Sequence, residues 1–145
     1  MARIEQSVEI ARPPAEVFAV LTDPARLAEW QGTVVEAELE GDGPMHAGAR
    51  VREVRTFLGK RIESTVEILE HEPPSRFALR SAAGPVVFRV EQSVEPAGDG
   101  SRVRVQMEGE ARGVLGLGAR VAVKAAERQL RTDLETLKRL LETPA

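Results

Sequence analysis

Apolar and polar residues alternate from position 3 to position 11, with Ile4, Gln6, Val8 and Ile10 on one face of an extended chain and Arg3, Glu5, Ser7 and Glu9 on the other. That period predicts a strand. The period changes at Pro13-Pro14. The N–H that proline lacks is not needed in a first helical turn, and Val17, Phe18 and Leu21 then recur at helical spacing. Thr22 or Asp23, followed by Pro24, ends this helix and caps a second short one that carries Leu27 and Trp30. Alternation returns at Val34 to Leu39, and Gly41-Asp42-Gly43-Pro44 then breaks the chain. Further strands run near 50–57, 61–70, 76–82, 86–95 and 101–110, separated by Leu58-Gly59-Lys60, Glu72-Pro73-Pro74, Ala83-Gly84-Pro85 and the stretch from Pro96 to Gly100. About seven strands with short Gly/Pro separators predict an antiparallel sheet built of hairpins.

From about Val114 to Glu142 the period becomes 3.6. Leu115, Ala119, Ala122, Val123, Ala126, Leu130, Leu134, Leu137 and Leu141 form one stripe, with Arg120, Lys124, Arg131, Glu135 and Lys138 opposite. This is an amphipathic helix of about eight turns laid on a sheet. Its stripe is small in the first half (Ala119, Ala122, Ala126) and leucine-rich in the second. Interiors pack to crystal density, so small residues facing a curved sheet imply either a close helix–sheet approach or a cavity beneath that half.

The order strand, two short helices, six strands and long C-terminal helix resembles the START-related helix-grip superfamily, the polyketide cyclase/dehydrase-like SRPBCC proteins. The stretch from Pro13 to Trp30 carries the resemblance most directly. Gly48-Ala-Arg-Val-Arg, Glu72-Pro-Pro-Ser-Arg-Phe and the run from Leu134 to Glu142 add to it in the right order. The resemblance implies an α+β helix-grip fold over one domain, residues 1–145, with the sheet curved around the C-terminal helix. It also tips the alanine stripe toward a cavity. Relatives include polyketide cyclases, aromatases and bacterial ligand binders, so the resemblance names a fold and a cavity without naming a ligand.

Strand parity then assigns the walls. If Leu58-Gly59 or Gly59-Lys60 is a two-residue turn, Val51, Glu53, Arg55 and Phe57 share a face with Ile62, Ser64, Val66 and Ile68. The apolar residues of the second set mark that face as inward, which carries Glu53 and Arg55 inside. A buried opposite-charge pair is costly unless mutually satisfied or met by a ligand, so the two are the candidate polar, and candidate catalytic, groups. A bulge or a three-residue loop would instead turn them to solvent. The same bookkeeping adds Phe77 and Leu79, then Phe88, Val90 and Gln92, then Val103, Val105 and Met107. Gln6 and Gln92 are the uncharged polar members, and Trp30 packs at the rim with an indole N–H able to face the cavity.

Composition narrows the chemistry. The chain has four Phe, one Trp, no Tyr and no Cys, which excludes a tyrosine acid, a cysteine nucleophile, a disulfide and a thiolate metal site. His46 and His71 lie in or beside loops without partners at ligand spacing, so neither a metal site nor a serine triad is expected. Gly113-Val-Leu-Gly-Leu-Gly118 reverses the spacing of a dinucleotide loop, and no cofactor is expected. The net charge of −3 is closely interspersed, which argues against nucleic acid. The N-terminus lacks an apolar leader, and no run approaches the roughly 18 apolar residues of a membrane span. A cytoplasmic protein is expected.

Three functions follow. The first is binding of a hydrophobic small molecule (lipid-, polyketide- or aromatic-like) in the cavity. The second is cyclase- or dehydratase-type catalysis with Glu53 as base and Arg55 stabilising an enolate. The third is an accessory role with a homodimer or protein partner, Leu117 and Val121 marking the contact.

Overall fold

The computed structural model describes residues 2–110 and 118–143, with only the backbone of Ala2 and Ala119. Strand β1 (Ala2–Ile10) leads through Pro13 into helix α1 (Pro14–Leu21). Pro14 occupies the first helical position, and the Thr22 hydroxyl closes the helix by donating to the Phe18 carbonyl at 2.9 Å. Asp23 accepts from the Ala25 N–H at 3.0 Å and starts a single 3-10 turn (Pro24–Arg26) that runs into α2 (Leu27–Trp30). The remaining elements are β2 (Val34–Leu39), β3 (Arg50–Phe57), β4 (Lys60–Glu72), β5 (Arg76–Ala83), β6 (Val87–Ala97), β7 (Gly100–Glu110) and α3 (Ala119–Glu142).

Every neighbouring pair of strands is antiparallel, and the spatial order is β1-β7-β6-β5-β4-β3-β2. The seven strands curl around α3 in the helix-grip arrangement, with α1 and α2 between β1 and β2. α3 has 24 residues, about seven turns rather than eight, because its helical bonding starts after Gly118. Val114 to Leu117, and with them Leu115, lie outside the described residues, as does the contact role given to Leu117. Val121 is exposed.

Beneath the second half of α3 the interior is packed. Leu134 and Leu137 join Ile10, Val17, Leu21, Val66, Val94 and Val103 in one apolar cluster. Phe18 of α1 enters it through ring contacts with Phe77 (centroids 6.4 Å, edge-on) and with His71 (5.6 Å). His71 thus stands in β4, half-buried against aromatic rings, and not in a loop. Burial among these rings, helped by the charge of His46, holds its imidazole below the ordinary histidine value. The C-terminal turn of α3 is tied to β1: the Lys138 ammonium donates to the Glu9 carbonyl and to Glu142, and Glu142 accepts from the Ala11 N–H, each at 2.8 Å. Lys138, placed opposite the apolar stripe by the helical wheel, is therefore a tether and not a free surface lysine.

Alternation in β2 would group Val35, Ala37 and Leu39. A bulge between Val34 and Glu36 breaks that set, burying Val34 and leaving Val35 54% exposed. No helix among the described residues is long and apolar enough to cross a membrane.

Candidate functional site

Between the first half of α3 and the sheet lies a cavity of about 450 Å³. Its walls are mostly Val, Leu, Ile, Phe, Met and Ala. Ala122 and Ala126 form its helical side, where larger residues would fill it. Leu130, half-buried, stands at the boundary between cavity and packed core. From β3 come Glu53, Arg55 and Phe57, and from β4 Ser64 and Val66. β5 gives Phe77 and Leu79, β6 gives Phe88, Val90 and Gln92, and β7 gives Val105 and Met107. Trp30 closes the end at α2. The side chain of Ala119 is outside the described residues. Val103 is fully buried in the core beyond the cavity, and Gln6 is half-buried without lining it.

One turn places the charged pair. Leu58 and Gly59 both take positive φ (50° and 79°), the mirror-image turn that matches the twist of paired strands. Phe57 therefore faces Lys60, Arg55 faces Ile62 and Glu53 faces Ser64, with no slip in register. Glu53 is 4% exposed. Arg55 Nε and Nη2 both stand 2.9 Å from Glu53 Oε1, and Nη1 donates to the Thr33 hydroxyl at 3.0 Å. Two strand positions apart on one face, the side chains are parallel neighbours, and the long guanidinium folds back on the shorter carboxylate.

α3 adds a second carboxylate that the apolar stripe conceals. Asp133 is 6% exposed and lines the cavity with Gln129. Its Oδ1 accepts from the Gly32 N–H at 3.0 Å and from the Gln129 amide at 2.8 Å. Burial holds the Asp133 carboxyl above the usual carboxylate range, outweighing these two bonds and the attraction of nearby Arg55. The sequence carries a spacing signal for it: positions 122, 126, 129, 130, 133 and 137 are one helical stripe, so a polar residue at 129 or 133 falls on the inner face. Thr33, which anchors Arg55, carries no such signal because it sits in the connection between α2 and β2.

A group whose folded pKa is raised stabilises the protein fully below its unfolded value and loses that contribution as pH rises through the folded one. Asp133→Asn keeps the Oδ1 acceptor and avoids ionisation. Its denaturation midpoint is expected to exceed that of the wild type at pH 7, with the difference vanishing below the ordinary aspartate value of about 3.9. Equal midpoints at both pH values would contradict the buried placement.

Two more cavity groups have no hydrogen-bond partner: the indole Nε1 of Trp30 and the amide Oε1 of Gln92. Among the described residues, no group of three His, Asp or Glu is arranged to hold a metal ion.

Comparison with known proteins supports the same architecture. The protein TTHA0849 from Thermus thermophilus superposes with a TM-score of 0.83 at 21% identity, covering 97% of both chains. A START superfamily protein from Mycobacterium smegmatis gives 0.83 at 14% identity, again over 97% of both. The di-domain ARO/CYC protein BexL of the BE-7585A biosynthetic pathway gives 0.74 at 22% identity, over 96% of this chain and 46% of that one. No curated protein matches the sequence. Residues 1–142 match the family described as polyketide cyclase / dehydrase and lipid transport, and the chain belongs to that family.

Proposed function

We propose that this protein binds a hydrophobic small molecule between the sheet and α3. The observation that carries the reading is the cavity of about 450 Å³, apolar on most of its wall and charged at one place. Its volume lies in the range of pockets for drug-sized ligands. The division of labour follows from magnitudes. Burying about 300 Å² of apolar ligand surface is worth about 7 kcal/mol before the cost of association, so the apolar wall supplies affinity. The cluster of Arg55, Glu53, Thr33 and Asp133 supplies orientation: the guanidinium already has partners, and a ligand oxygen that shares it is fixed in direction. A lipid-, polyketide- or aromatic-like ligand fits this description.

A second reading, cyclase-type catalysis, is favoured by Asp133. A carboxyl held above its usual range beside a cation offers a proton donor next to a group that stabilises a developing oxyanion. In that reading Arg55 stabilises an enolate and Asp133, rather than the doubly held Glu53, exchanges the proton.

Native mass spectrometry of the purified protein tests the binding reading. An adduct of small-molecule mass that leaves on denaturation is expected. A bare mass, together with failure of any apolar probe to bind, would overturn it.

A further inference from the structure

Trp30 Nε1 and Gln92 Oε1 are buried, line the cavity and meet no partner, although buried polar groups are as a rule hydrogen-bonded. Trp30 is 3% exposed, so its N–H has no outward route to bulk water. An indole nitrogen only donates. An amide oxygen only accepts, and a hydroxyl satisfies a glutamine amide in either orientation.

The two groups approach the cavity from different sides. Trp30 ends α2, which packs on β2 and α3. Gln92 stands in β6 between Phe77 of β5 and Val105 of β7, and β6 is separated from β2 by β5, β4 and β3. Neither is part of the hydrogen-bonded cluster around Arg55. The residues directly across from Gln92 on the neighbouring strands are apolar, so the amide has no structural partner to hold there.

We infer that Trp30 and Gln92 are ligand-reading groups, and that the ligand is an apolar ring system carrying a hydrogen-bond acceptor, such as a ketone, on its α2 side and a hydroxyl over the middle of the sheet. This rests on the ligand-binding reading above and narrows it. A single-headed acyl chain would satisfy the charged cluster and leave both groups unmet; a hydroxylated, carbonyl-bearing polycycle meets them.

The test uses four compounds with one skeleton: fluorene, 9-fluorenone, 2-hydroxyfluorene and 2-hydroxy-9-fluorenone. Affinities are read by displacement of 1-anilinonaphthalene-8-sulfonate from wild type, Trp30→Phe and Gln92→Leu. For the wild type, the ketone and the hydroxyl are each expected to tighten binding about fivefold over fluorene, as for one hydrogen bond to a buried group. Trp30→Phe should erase the gain from the ketone and keep that from the hydroxyl, and Gln92→Leu the reverse. Gln92→Leu should also raise the denaturation midpoint of the free protein, since it removes an unpartnered buried amide. Equal affinities of all four compounds for the wild type would overturn the inference and leave ligand binding standing. Absence of binding by all four and by the dye would overturn the ligand-binding reading itself. The wild-type series and Gln92→Leu keep the inference testable if Trp30→Phe fails to fold.

Discussion

Arg55→Met is expected to cost about 3 kcal/mol of stability, the lower end of the range for breaking a buried ion pair. The lower end applies because the Arg55 side chain is 27% exposed and water reaches it in part, while the Glu53 side chain is only 5% exposed. The variant removes both contacts to Glu53 Oε1 and the bond to Thr33, and it takes the cation away from nearby Asp133. What remains is a buried carboxylate with no hydrogen-bond donor, whose desolvation is no longer repaid. Glu53→Gln combined with Arg55→Met should recover much of the loss, because no charge is then stranded. Chemical denaturation of both single variants and the double variant checks this as a cycle. Additive effects below about 0.5 kcal/mol would place both side chains in solvent, as for exposed pairs.

Leu134→Ala is expected to lose about 2–5 kcal/mol, and Leu130→Ala distinctly less. The two residues are one helical turn apart and chemically identical, so the difference isolates their surroundings. Leu134 is 2% exposed inside the packed cluster, where truncation leaves a void that neighbours cannot fill. Leu130 already borders the cavity, so truncation enlarges a space and forfeits fewer contacts. Denaturation midpoints at constant slope measure both. Equal losses would mean that the packed core extends under the whole of α3.

Much of the architecture is legible in the chain because each element follows one period. Alternation and 3.6-residue spacing give the order of strands and helices, and the placement of Glu53 and Arg55 depends on a single inference, the two-residue turn at Leu58-Gly59. The rest depends on long-range contacts that periodicity does not encode. Asp133 reads as an interruption of the apolar stripe, and only the Gly32 N–H, 101 positions away in the chain, makes its burial tolerable. Lys138 sits on the polar face of the helical wheel, yet it is held by the backbone of β1, again a partner remote in sequence. The bulge in β2 exchanges Val34 for Val35 on the inner face, which strict alternation has no means to anticipate. The loop expected around His71 is strand instead, because β4 runs to Glu72, two residues beyond the alternating segment.

The central claim, that open space beneath the alanine half of α3 receives an apolar ligand, is tested most directly by titrating 1-anilinonaphthalene-8-sulfonate into the wild type and Ala126→Leu. The wild type should bind the dye saturably at one site. Ala126→Leu should weaken that binding about tenfold or more while shifting the denaturation midpoint little, because a cavity accepts added carbons that a packed core does not. A wild type that binds no dye, together with an Ala126→Leu variant that unfolds, would show that the alanines serve close packing and would contradict the account.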